Sequence, residues 1–152
     1  MTRKELALIL VILALGIFLR FYLITQIPPG LYPDEAANGN NATEALRTGA
    51  FKVFYPENNG REGLFINIQA FSLWLFGEQA WALRVVSALF GSLTILGIFL
   101  LARELFSDKP RRAMLVSLFS SFFLATSFWH INFSRVGFRA ITVSFFSAFG
   151  MY

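Results

Sequence analysis

The sequence predicts an all-α, polytopic integral membrane protein: three complete transmembrane helices, a fourth that is cut short, and juxtamembrane helices in the first outer loop. Composition and its distribution lead there. The 152 residues are 56% apolar and 14% charged, whereas a soluble domain is near 45–50% apolar and about 25% charged. The excess is gathered into Leu6–Leu19, Val85–Ala102 and Met114–Phe128, and blocks of that kind are solvated by lipid. Such a composition excludes intrinsic disorder, and the lack of cysteine excludes a disulfide scaffold or a thiolate metal site. The net charge of +4 does not indicate nucleic acid, because the basic residues are scattered among apolar blocks and form no single soluble face.

The first helix is expected at about 6–24. Arg3 and Lys4 precede the apolar run, as in a secretory signal, but no A-x-A-like cleavage site follows. Arg20 falls near the end of this run and is expected to snorkel to the interface. Further spans are expected at about 81–102 and 113–129. Between them, 103–112 holds Arg103, Lys109, Arg111 and Arg112, so the positive-inside rule places this loop and the N-terminus in the cytoplasm. Both placements hold only with two crossings between residues 5 and 103. The stretch Gly63–Gly77, which contains Asn67, Gln69 and Ser72, is then a juxtamembrane helix and not a span.

Residues 25–80 form one outer loop with six acidic residues, Asp34, Glu35, Glu44, Glu57, Glu62 and Glu78, against three basic ones. A loop of this length in a compact protein is functional or disordered, and its helical content favours function. Ile27-Pro-Pro-Gly30 stops the first helix, Ala36–Thr48 reads as a short polar helix ended by Gly49, and Glu57–Gly63 is a turn-rich link. A second outer segment covers 130–139. Residues 140–152 begin another apolar run too short to cross, and the chain is expected to be the N-terminal part of a longer protein.

Three groups can carry chemistry. Asp34-Glu35 reads either as a helix cap or as a fixed, oriented carboxylate pair. Arg61-Glu62 is either a solvated pair or a phosphate contact beside a ligand for a metal or sugar hydroxyl. Near Trp129, His130 reads as a hydrogen-bonded helix-end residue or a ligand, while Arg135 and Arg139 suit a clamp on a lipid phosphate. The predicted topology puts all seven residues on one side of the membrane. Carboxylates beside cationic groups at a lipid boundary are what transfer from a phosphate-linked lipid carrier requires. The sequons at Asn41 and Asn132 are weak three-residue matches. Gly91, Gly97, Ser117 and Ser121 point to close helix packing.

The order of these motifs resembles the N-terminal part of family-39-like, GT-C-type glycosyltransferases, a group that includes protein O-mannosyltransferases and lipid A aminoarabinose transferases. The matching stretches are Tyr32–Ala37, Asn59–Leu64, Leu75–Gly77 with Ala82–Arg84, Leu101–Phe106, and Trp129-His130 with Phe133–Arg139. The resemblance implies a multi-pass, inverting enzyme of the plasma membrane. Its substrates would be a polyprenyl-phosphate sugar donor and an acceptor glycan, lipid or protein at the outer face. It implies Asp34 as the catalytic acidic residue and Glu35 as its partner. The chain departs from many relatives in having Arg61-Glu62-Gly63 where they carry prolines, and Phe138–Phe146 lacks the acid that some carry. No cofactor is assigned, and a divalent metal stays open. In this reading Asp34 is the general base, and Arg61, Arg135 and Arg139 stabilise the departing phosphate. The competing class is a non-enzymatic membrane scaffold whose acidic outer loop binds a partner. A transporter ranks last, because Val85–Ala102 and Met114–Phe128 hold no ionisable residue.

Overall fold

The computed structural model describes residues 2–152. Seven helices follow one another: α1 (Arg3–Phe21), α2 (Pro33–Thr48), α3 (Gly63–Phe76), α4 (Ala80–Leu105), α5 (Pro110–Thr126), α6 (Phe128–Arg135) and α7 (Ile141–Gly150). The expected all-α character needs one correction. Between α2 and α3 the chain forms a two-stranded antiparallel hairpin, β1 (Phe54–Tyr55) and β2 (Arg61–Glu62), pairing Phe54 with Glu62 and Tyr55 with Arg61. Asn58, Asn59 and Gly60 all have positive φ, the backbone that turns the strands back on each other and that Asn and Gly tolerate best.

Helix α4 is the axis of the fold. It packs against α1, α3, α5, α6 and α7, while α2 packs mainly on α3. At 26 residues it is about 39 Å long, which exceeds the hydrocarbon thickness of a bilayer. It is the one helix among the described residues that is long and apolar enough to cross a membrane. The bent pair α5–α6, with 56° between its halves, makes a second if counted as one span. The three complete spans expected from the sequence are therefore not all matched: α1 has 19 residues but carries Arg3, Lys4, Glu5 and Arg20.

The basic ends of the bundle lie together. Arg103 near the end of α4 is 3.8 Å from Glu5 in the first turn of α1. The outward faces are strongly apolar, with Leu8, Val11 and Phe18 on α1 and Phe119 and Phe123 on α5 exposed.

One apolar core joins α2, the hairpin, α3 and the start of α4 through Ala42, Tyr55, Ile66, Ala70, Leu73, Ala82 and Leu83. The polar side chains of α3 bond to the elements around it, with Gln69 Oε1 left buried and without a partner among the described residues. Gln69 donates to Leu83 O (3.2 Å), Ser72 to Ala82 O (2.6 Å), and Asn67 to Lys52 O (3.1 Å) while accepting from the Tyr55 hydroxyl (3.0 Å). These bonds fasten α3 to its neighbours where a span would face lipid.

Gly63 marks the tightest contact. A Cβ placed there would lie 1.9 Å from Lys52 O, a backbone atom, and Gly63 N donates to Val53 O at 2.7 Å. Gly63→Ala is expected to lower stability by about 1–3 kcal/mol, the usual cost of overpacking, read as a fall in the thermal unfolding midpoint of the purified protein.

Candidate active site

The site is built on the first turn of α2. Pro33 occupies the first helical position, where its missing N–H is no loss. The N-cap is Tyr32, so Asp34 lies inside the helix and does not cap it. Glu35 takes the capping role, accepting from Tyr32 N at 3.3 Å. Both acids sit where the helix dipole favours negative charge.

Glu35 is fully buried and paired with Arg84 of α4, Nε to Oε1 at 2.8 Å and Nη2 to Oε2 at 3.3 Å. Its Oε1 also accepts from Gly137 N at 3.2 Å. The same guanidinium donates to Pro28 O (2.6 Å) and to Gly30 O. One ion pair thus ties the 28–30 turn, the start of α2, α4 and the α6–α7 connection. The carboxylate accepts four N–H bonds, and neither it nor Arg84 is open to solvent.

Above it opens a cavity of about 360 Å³, lined by Asp34, Asn38, Asn58, Asn59, Arg61, Glu62, Phe138, Arg139, Ala140 and Val143. Asp34 is half-buried; its Oδ1 accepts from Asn58 Nδ2 at 2.8 Å, and its Oδ2 has no protein donor among the described residues. Arg61 is buried, and three of its N–H groups go to Glu57 O (3.2 Å), Asn38 Oδ1 (2.6 Å) and Asn41 Oδ1. No carboxylate lies within ion-pair distance of it among the described residues. Glu62 pairs with Arg139, not with its neighbour Arg61. Asn41 is buried under Arg61, which leaves the first sequon inaccessible.

The structure thus gathers Asp34, Arg61, Glu62 and Arg139 around one cavity, with Glu35 beneath. His130 and Arg135 do not line it. Arg135 turns to the end of α1 and donates to the carbonyls of Leu19 (3.0 Å), Arg20 (3.2 Å), Tyr22 (2.8 Å) and Ile27 (2.9 Å). Arg20 is a correction: it is fully buried and does not snorkel. All five of its N–H groups are taken, by Gly16 O, Ala125 O, Leu124 O, Ser134 Oγ and His130 Nδ1. Because Arg20 can only donate, His130 Nδ1 accepts, which makes the ring the neutral tautomer with its proton on Nε2.

Arg84 is the residue that sequence reasoning overlooked. Its signal was present: an arginine near the start of the longest apolar block needs a buried counter-ion. Asn38, Asn41 and Asn58, to which the sequence pattern assigns no part in a site, hold Arg61 and Asp34. Among the described residues no group of three His, Cys, Asp or Glu side chains is placed to hold a metal ion.

A sequence model of the dolichyl-phosphate-mannose-protein mannosyltransferase family matches residues 64–149, more than half of the chain. The matched stretch runs from α3 through α7 and includes Arg84 and Arg139, while Asp34, Arg61 and Glu62 lie upstream of it. No curated protein and no solved structure is matched by the chain.

The buried pair gives a direct test of this geometry. Removing one partner strands the other charge away from water, which costs about 3–5 kcal/mol. Arg84→Met is expected to lose stability on that scale in a denaturant titration of the purified protein, and Arg84→Met with Glu35→Gln to recover part of it.

Proposed function

This chain belongs to the dolichyl-phosphate-mannose-protein mannosyltransferase family, and on that premise we propose that it transfers a sugar from a polyprenyl-phosphate donor to an acceptor hydroxyl at the outer face of a membrane. Membership by itself points to glycosyltransferase activity and to a membrane setting. The finer reading rests on the cavity. One observation carries it: Asp34 stands in the first turn of a helix anchored by Glu35 and Arg84, with one oxygen held by Asn58 and the other open to a cavity shared with Arg61 and Arg139.

In this reading Asp34 takes the proton from the acceptor hydroxyl as its oxygen attacks the anomeric carbon. The bond from that carbon to the phosphate oxygen breaks, and the polyprenyl phosphate leaves with the electron pair. One displacement inverts the anomeric centre. Phosphate is a good leaving group, so the second carboxylic acid that a glycosidase uses on its leaving oxygen is not needed. Arg61 and Arg139 are placed to stabilise the charge that gathers on the departing phosphate. Arg61 suits this as a fixed charge, because Asn38, Asn41 and Glu57 hold it in place before substrate arrives.

Orientation follows from charge. The end of the bundle where Arg103 meets Glu5 also carries Arg3 and Lys4, which supports placing it in the cytoplasm. The cavity with Asp34 then faces outward, and the exposed Leu, Val and Phe of α1 and α5 face lipid. Arg135 and His130, engaged at the helix ends, hold the scaffold in this reading and do not meet the donor.

The test is transfer of labelled sugar from a polyprenyl-phosphate donor in membranes containing the whole protein. Asp34→Asn is expected to reduce transfer by about 10²-fold or more. Undiminished transfer would remove Asp34 from the mechanism and favour a partner-binding role for the acidic loop.

A further inference from the structure

The cavity holds four charged side chains, and they differ in freedom. Asp34 and Arg61 are each tied to asparagines of the same module. Glu62 and Arg139 are held mainly by each other, and they are the exposed pair, with 58% and 38% of their side chains open to solvent. They reach the cavity from separate elements: Glu62 ends β2 immediately before α3, and Arg139 lies in the connection between α6 and α7. Their contact therefore bridges two walls of the cavity where both side chains are exposed to solvent.

Charge balance gives this bridge a consequence. With Asp34 and Glu62 against Arg61 and Arg139, the cavity lining is neutral. An anion entering it meets an Arg139 whose charge is already answered. The backbone around Arg139 is anchored independently: Gly137 N is bonded to Glu35, and Gln69 donates to Gly137 O at 3.4 Å. Glu62 is anchored by the β1–β2 pairing. Breaking the side-chain contact thus leaves both backbones where they are.

We propose that the Glu62–Arg139 pair is a displaceable latch: a phosphate group on the ligand replaces the Glu62 carboxylate on Arg139, so that Glu62 sets the affinity of the cavity for phosphate by competing for that guanidinium. The proposal rests on the cavity being the donor site. A phosphate offers the same acceptor geometry to arginine as a carboxylate, with more charge. An exposed ion pair is weak enough to be exchanged. The pair therefore links two walls of the empty cavity, and that link is exchanged for a phosphate contact as a phosphate-bearing ligand binds.

The experiment is equilibrium binding to the whole protein in detergent, with farnesyl phosphate, inorganic phosphate and the neutral alcohol farnesol as probes. Glu62→Gln is expected to tighten both phosphate probes about two- to fivefold, the span that an exposed ion pair can hold back, and to leave farnesol unchanged. Arg139→Gln weakens both. The deciding variant is Glu62→Gln combined with Arg139→Gln, which should bind like Arg139→Gln alone, because the competitor matters only while Arg139 is there to be contested. Farnesyl phosphate binding more tightly than inorganic phosphate marks a lipid-borne group as the source, and equal binding marks free phosphate; the latch accounts for either.

Three results overturn it. Tightening by Glu62→Gln that persists without Arg139 is a general charge effect. Weakening by Glu62→Gln makes Glu62 a direct ligand. No binding of either phosphate by the unaltered protein removes the latch while leaving the Asp34 transfer assay as a separate measure of the proposed activity. A thermal unfolding midpoint shared by all variants guards against misfolding, and both residues are exposed enough for that to hold.

Discussion

The arrangement depends on the buried pair between Glu35 and Arg84. Taking two charges out of water costs several kcal/mol for each ion, and their attraction offsets this only when the remaining donors and acceptors are also satisfied. Here they are. The carboxylate is met by Arg84, Tyr32 N and Gly137 N, and the guanidinium by Glu35, Pro28 O and Gly30 O. Those backbone groups come from three stretches of chain: the 28–30 turn, the start of α2 and the α6–α7 connection. The pair therefore fixes where the 28–30 turn, the first turn of α2 and the α6–α7 connection sit on α4. Asp34 and Arg139 each lie within two residues of a group the pair holds, so the cavity inherits its shape from a contact it does not expose.

Two further arginines solve a related problem at the helix ends. The last carbonyls of a helix have no partner within it, and buried ends need donors from elsewhere. Arg135 of α6 supplies them to the end of α1, and Arg20 of α1 supplies them to the end of α5. The 56° bend between α5 and α6 falls at the same place, just after the carbonyls of Leu124 and Ala125 that Arg20 meets. Gly91 lets α6 come close at this point: a Cβ there would lie 2.1 Å from Ser134 Oγ. The cationic side chains that look like anion sites in the sequence are in part the means by which helix ends are closed.

What was legible in the sequence was what depends on local pattern. The apolar blocks locate α1, α4 and α5, and the length of Gly63–Gly77 marks α3 as too short for a span. Asp34, Arg61, Glu62 and Arg139, which line one cavity, stand out in the sequence because charge is rare in this composition. What was not legible depends on contacts across the chain. Glu35 and Arg84 are 49 residues apart, and Arg20 and Ser134 are 114 apart. No periodicity reports such pairings. Arg20 at the end of an apolar run has the same local signature whether it reaches outward to the interface or inward to capping carbonyls. The hairpin was missed because its strands are two residues each, too short for alternation to appear. Glu62 was set beside Arg61 by adjacency alone, but on a strand consecutive side chains point to opposite faces, and Arg61 turns inward while Glu62 turns to Arg139.

In the proposed enzyme the two adjacent carboxylates divide the work: Glu35 holds the fold and Asp34 faces the substrate. The most direct measurement is the unfolding free energy of Glu35→Gln beside that of Asp34→Asn in the whole protein. A large loss is expected for Glu35→Gln, because Arg84 is left buried without its counter-ion, and little change for Asp34→Asn, whose hydrogen-bond partner is the exposed amide of Asn58. Equal losses for the two variants, or a loss confined to Asp34→Asn, would contradict it.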